Sequence, residues 1–432
     1  MTTMTVPRTS PPPAPKATVE PTAREIISQA RTAAAPSKGA WIVSGATALL
    51  TWAAFTPLDW GPLAWVCLVP VLLLVRIPRP TRWMYRALYG ASFVGSLLML
   101  QWMRLGDSSM YYAWLALSVY LALYLPVFVA VTRVAVQRLR VPLVLAVPVV
   151  WVGLEFLQAH LMTGFAWYYL GHTQYAWLEM IQISDITGAY GVSFVVAMTS
   201  AAIAGLVPGN VFRKLNLLPG NVDGNTIDEA ATTKRKFIAV TAAVTVFAGV
   251  LTYGYVRRSQ ATWTMPDARS GPRVALVQAN FTSAVKHDPR QRVTMLRTHN
   301  VLTGMAVRHQ PDVIVWPETM FGWPLQTVEG QLTDEELLAL APAAYRANPR
   351  FDKSRWIESW RSPQVTRRLN DDAQISGAAM IIGIGTEVAS HEGLSSYNSA
   401  AFVTPSRGVT DRYDKIHRVI FGEYIPLREQ LP

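Results

Sequence analysis

Across 432 residues the sequence is about half hydrophobic, only 16% charged, carries a net charge of +11 and holds a single cysteine. That lone thiol, Cys67, excludes disulfides, CxxC-type zinc sites and thiol redox pairs within these residues. The basic excess sits largely in short breaks between apolar runs, which points to membrane topology and away from nucleic acid as a partner.

In chain order, residues 1–38 are rich in Pro, Ala, Thr and Ser and lack the apolar core of a signal peptide, so a disordered cytoplasmic tail is expected. Residues 39–257 contain seven apolar runs, at 41–55, 62–75, 87–103, 112–131, 142–160, 190–207 and 237–255. A membrane span needs about 20 apolar residues, so the first two are short and read as a tilted or dipping hairpin. The breaks after the second, fourth and sixth runs carry Arg76, Arg79, Arg82 and Arg86, then Arg133, Arg138 and Arg140, then Arg213, Lys214 and Lys234 to Lys236. Basic loops stay cytoplasmic, which places the N-terminus inside and the domain after the last run outside; Arg257 and Arg258 run against that order. The outer loop at 161–189 has no Lys or Arg and is dense in Trp and Tyr, so it reads as interfacial or as a lipid-handling surface. His172 and Glu179 within it read as ordinary loop residues.

Residues 258–432 read as an α/β domain. "RVALVQANF" reads as a buried strand, 289–310 has helical spacing, and "DVIVWPETM" is a buried strand with Glu318 at its carboxyl end, where α/β sheets place ligand chemistry. "MIIGIGTE" and "YNSAAFVTP" are further strands, and "VTDRYDKIH" returns after the "SRG" turn. A charged and aromatic insertion at 325–369 has the character of a lid. "GIGTE" lacks a third glycine, the histidines show no paired-ligand spacing, and neither a nucleophile elbow nor a Walker lysine occurs, so neither cofactor nor metal is expected. "NFT" at Asn280 ends a buried strand and does not read as a glycosylation site. There remain Glu318, Lys415 and Glu423. Each alone reads as a surface or ion-paired group; in the contexts "WPET" and "YDKIHRVIFGEYIP" together they read as chemistry.

At these residues the sequence resembles the nitrilase superfamily and, within it, the bacterial apolipoprotein N-acyltransferases. The landmarks run in order as "VALVQAN", "VWPET", "GIGTE", "YNSA" and "YDKIHRVIFGEYIPL", with "FTPLDWGPLAW", "TGFAWYYLGHTQ" and "ISDITGAYGVSF" in the membrane half. The resemblance implies an α-helical multi-span membrane bundle carrying an α/β nitrilase-like α-β-β-α sandwich with a Glu-Lys-Cys triad. On this chain Glu318 matches the general base, Lys415 the oxyanion-stabilising lysine and Glu423 a supporting carboxylate. The implied partners are a phospholipid acyl donor, diacylglyceryl-modified apolipoproteins and the bilayer, in a multi-pass protein of the bacterial inner (cytoplasmic) membrane with its nitrilase-like domain on the outer side.

The family's nucleophilic cysteine lies downstream of the lysine, and a last span follows it. This sequence stops at Pro432 before both, so the expectation is a fragment with an incomplete sandwich, inactive on its own. Cys67 lies in an apolar run that disfavours its thiolate, and cannot substitute. Two alternatives stand beside the acyltransferase: a membrane-anchored nitrilase- or amidase-like C–N hydrolase sharing Glu318 and Lys415, and a non-catalytic pseudoenzyme without the nucleophile.

Overall fold

The apolar runs of the N-terminal half all become helix. In a computed structural model that describes residues 37–417, apart from 79–81, 106–109, 219–232, 265–270, 283–284 and 287, together with Thr22 and Arg24, they form α1 (Ser37–Ala54), α2 (Val69–Arg76), α3 (Arg82–Met99), α4 (Met110–Leu121), α5 (Tyr124–Arg133), α6 (Leu143–His160), α7 (Ala189–Leu206) and α8 (Thr233–Thr264). Most of the expected tail and Glu423 lie outside the described residues. Among the described residues four segments, Met110–Arg138, Leu143–His160, Ala189–Leu206 and Thr233–Gln260, are long and apolar enough to cross a membrane. The second run is shorter because prolines set helix starts inside it: a 3-10 turn at Gly61–Leu63, a helical turn at Ala64–Cys67, and then α2.

The chain divides into two compact units, one made of residues up to Met99 with Leu117–Arg258, the other of Leu100–Ala116 with Ser259 onward. In the first, Leu68, Leu72, Leu74, Leu88, Phe128 and Phe212 are fully buried in one cluster. Two of the arginines that set the topology reading also cap helices. Arg76 donates to the carbonyls of Ala204 (2.7 Å) and Val207 (2.8 Å) at the end of α7. The buried Arg133 donates to the carbonyls of Leu74 and Ile77 at the end of α2, and Gln137 adds bonds to Val75 and Ile77. Carbonyls at a helix C-terminus lack intrahelical donors, and a cation there also meets the negative end of the dipole. In the aromatic loop His172 stacks on Tyr169 at 4.9 Å and Glu179 pairs with Arg258, so both have structural partners.

The second unit holds a five-stranded sheet in the order β1 (Val274–Leu276), β2 (Val313–Val328), β3 (Ala379–Ser390), β4 (Gly393–Thr404) and β5 (Gly408–Asp414). The first three are parallel, the last two antiparallel. Strand periodicity divides its faces. Met380, Ile382 and Ile384 of β3, with Ala401 and Val403 of β4, are fully buried on one face under α9 (Arg292–Val307) and α12 (Gln364–Ser376), which contributes Leu369 and Ala373. These residues supply one helix layer and one sheet of the nitrilase-like arrangement.

The insertion is narrower than 325–369. Leu325 to Val328 still pair with β3 as the end of β2, and α12 belongs to the core. What lies between is α10 (Asp334–Ala339), a turn of helix at Ala343–Arg346, and α11 (Lys353–Arg361). A Thr333–Glu336 capping box starts α10, and the Asp352 carboxylate accepts from the Arg355 amide at the start of α11. Leu332, Leu337 and Trp360 pack with Ala389, whose odd-numbered position in β3 puts it on the face opposite α9 and α12.

Candidate active site

Glu318 stands on a distortion of β2. Pairing with β3 passes from Trp316↔Ile382 to Phe321↔Ile384, so four residues of β2 oppose the single residue Gly383. Such bulges re-aim side chains beside functional sites. Gly383 permits this one: a Cβ there would lie 2.1 Å from the Pro317 carbonyl oxygen and 2.6 Å from the Glu318 Cα. Thr319, next along, takes a left-handed φ of 55°, which marks the sharpness of the local turn.

Lys415 is brought in from 97 positions away by the antiparallel end of the sheet. Asn398 in β4 pairs with Gly385 of β3, and the Lys415 amide donates to the Asn398 carbonyl at 2.8 Å just past β5. On the helix-covered face, the Ser399 hydroxyl donates to Asp414 at 2.6 Å and Arg412 pairs with Asp414 at 3.0 Å, fixing the end of β5. Asn398 and Lys415 therefore share the opposite face with Glu318.

There the Asn398 Nδ2 and the Lys415 Nζ (3.3 Å) both donate to Glu318 Oε1. Oε2 has no hydrogen-bond partner among the described residues, and the Glu318 side chain is 54% exposed. Partial burial acts to raise the Glu318 pKa, but the Asn398 amide, the Lys415 ammonium and the charge of Lys286 outweigh it, and the carboxyl lies below its usual value of 4.5. At neutral pH it is therefore an ionised carboxylate with one oxygen anchored and the other open to take a proton. A test follows for the acid limb of any reaction based on Glu318. It is expected below pH 4.5, and Asn398→Ala, leaving burial less opposed, should move it upward in the pH–rate profile. An unmoved limb would show that Asn398 does not set the carboxylate's ionisation.

Glu318 and Lys415 thus meet as the sequence implied, while Glu423 lies outside the described residues. Cys67 is fully buried in the first unit, its thiol donating to the Ala64 carbonyl at 3.3 Å. Sequence reasoning missed Asn398, Gly383 and Lys286. "YNSA" and "GIGTE" were noted as landmarks, but an asparagine or a glycine in a strand shows its role only when its cross-strand neighbour is known.

Residues 47–202 match the family model described as apolipoprotein N-acyltransferase N-terminal domain, and residues 273–430 match that of carbon-nitrogen hydrolase. Similar curated proteins named apolipoprotein N-acyltransferase come from Rhodopirellula baltica (28% identical over 410 residues, 90% of this chain and 68% of the relative) and Geobacter metallireducens (28% over 385 residues, 86% and 62%). In both of its halves the chain is similar to apolipoprotein N-acyltransferases. A third relative of that name, from Chlorobaculum tepidum, is 24% identical over 86% of this chain and 62% of its own length. The chain therefore spans about two thirds of the length of the curated relatives it matches. This likeness accounts for both halves together: a free-standing C–N hydrolase would match the second domain and leave the N-terminal match unexplained.

Proposed function

We propose that the protein transfers an acyl chain from a phospholipid to the N-terminal α-amino group of diacylglyceryl-cysteine in lipoproteins, through a thioester. The observation that carries this reading is the ionised Glu318, held at one oxygen by Asn398 and Lys415 and open at the other, in a chain whose described residues include four helices fit to cross a membrane. In the first half-reaction Glu318 takes the proton of a cysteine thiol, and the sulfur attacks the ester carbonyl. The C–S bond forms, the C–O bond breaks, and the proton passes to the departing glyceryl oxygen, giving a lysophospholipid. In the second, the amine attacks the thioester; the C–N bond forms, the C–S bond breaks, and Glu318 returns the amine's proton to the sulfur. Both carbonyl additions build charge on oxygen, and the Lys415 ammonium is the cation placed to stabilise it. Cys67 is not the thiol, since it is buried against its own helical turn. The resemblance puts the nucleophile downstream of the lysine, with Glu423 holding Lys415 charged and oriented.

Both substrates are lipid-anchored, so we place the protein in the bacterial inner membrane, N-terminus inside and the Glu318 domain on the outer side, following the basic loops. A reporter fused after Arg82 should read cytoplasm, and one after Ser259 the exterior. A cytoplasmic signal from the second fusion would separate Glu318 from lipoprotein substrates and sink the reading.

A further inference from the structure

We infer that the cavity walled by the insertion binds the polypeptide that follows the reactive amine of the acyl acceptor; the inference rests on the acyl-transfer reading. The cavity is an open cleft of about 640 Å³ between α11 and the β3–β4 hairpin. Its position relates it to the site. Ser396, on its wall, lies two residues along β4 from Asn398, and strand alternation puts both side chains on the face that bears Glu318. Two strand residues span about 7 Å, so an acceptor with its amine at Glu318 has its next residues at the mouth of this cavity. β5 pairs with β4 only from Ser399 to Thr404, so among the described residues Leu394 to Tyr397 have a strand on one side alone.

The lining says what the ligand carries. Trp356 and Trp360 both line the cavity, and the Trp356 indole N–H donates to the Leu337 carbonyl at 2.9 Å. Trp360 is 5% exposed, yet its indole N–H has no partner among the described residues. That nitrogen has almost no accessible surface, so it is the Trp360 ring and not its N–H that meets the cavity. Arg350 and Arg355 stand on the rim with the carboxylates of Asp352 and Glu387. A lone phosphate would face those carboxylates and a lone ammonium would face the arginines. A peptide, alternating carbonyl and N–H groups, suits both. Aromatic walls with arginine are also the composition that favours polypeptide contact.

The test uses the full-length protein in bilayers and three photoreactive probes. One is a diacylglyceryl-cysteinyl peptide with the label two residues after the cysteine, one a diacylglyceryl-cysteine amide with the label on its amide, and one a phospholipid with a labelled headgroup. The peptide probe should crosslink within residues 342–360. Ser396→Trp, which fills the cavity from an exposed position, should raise KM for the lipopeptide relative to that for the cysteine amide. Crosslinking by the phospholipid in place of the peptide would make this a headgroup site and overturn the inference. Absence of labelling, or equal KM changes for both acceptors, would overturn it too. The parent reading is judged separately: a wild-type protein that N-acylates no acceptor refutes acyl transfer, while the crosslinks still decide whether the cavity holds peptide.

Discussion

Glu318→Gln in the full-length protein is expected to lower thioester formation by about 10²–10⁴-fold, the range for loss of a positioned general base. The substitution is nearly isosteric, and its amide oxygen can still accept from Asn398 and Lys415 as Oε1 does. The open position, however, becomes an NH₂ that cannot take a proton. Lys415→Ala leaves the carboxylate but removes the cation from the developing oxyanion, at a cost of about 10²–10³-fold. It also removes one of the groups that hold the Glu318 carboxyl low, so its acid limb should shift upward as well. The measurement is hydroxylamine-sensitive acylation of the protein by a labelled phospholipid. Near-normal labelling in either variant would mean that the roles assigned to the pair are wrong.

Glu318 and Lys415 stood out because each sits in a short, distinctive context, but only Lys415 lies at a strand end; Glu318, expected at the carboxyl end of its strand, lies inside β2, on the bulge opposite Gly383. The helices were legible from long apolar runs and the strands from short continuous ones, although the first strand, read as buried, has Val274 and Leu276 exposed. The insertion's boundaries were not. Leu325 to Val328 continue the alternation of β2 beyond two register shifts, and a sequence does not display a shift. The first strand is only Val274–Leu276, since Asn280 already has a left-handed φ of 54° and the chain has left the sheet. Arg76 and Arg133 show a different kind of overlap. As charges in a break they report orientation, and as donors they terminate α7 and α2. Only the second role requires knowing which helix ends lie nearby.

Gly383→Ala is expected to be nearly as damaging to the site as removing Glu318, although Gly383 contributes no side chain. The methyl would meet the Pro317 carbonyl oxygen at 2.1 Å and the Glu318 Cα at 2.6 Å. Both are backbone atoms, so no rotamer change relieves the clash and β2 must move off β3 at the bulge. Overpacking of this kind costs about 1–3 kcal/mol. Displacing a reacting group by about 1 Å can cost about 10²-fold in rate, and the group displaced here is the carboxylate itself. Gly385→Ala is the matched control: two residues along the same strand and on the same face, its added methyl would meet nothing within 4 Å. Thermal unfolding and thioester formation, measured on both variants, should therefore separate them, with Gly385→Ala close to the parent and Gly383→Ala impaired in both. If the two alanine variants behave alike, the close approach of β2 to β3 at Gly383 is not what positions Glu318.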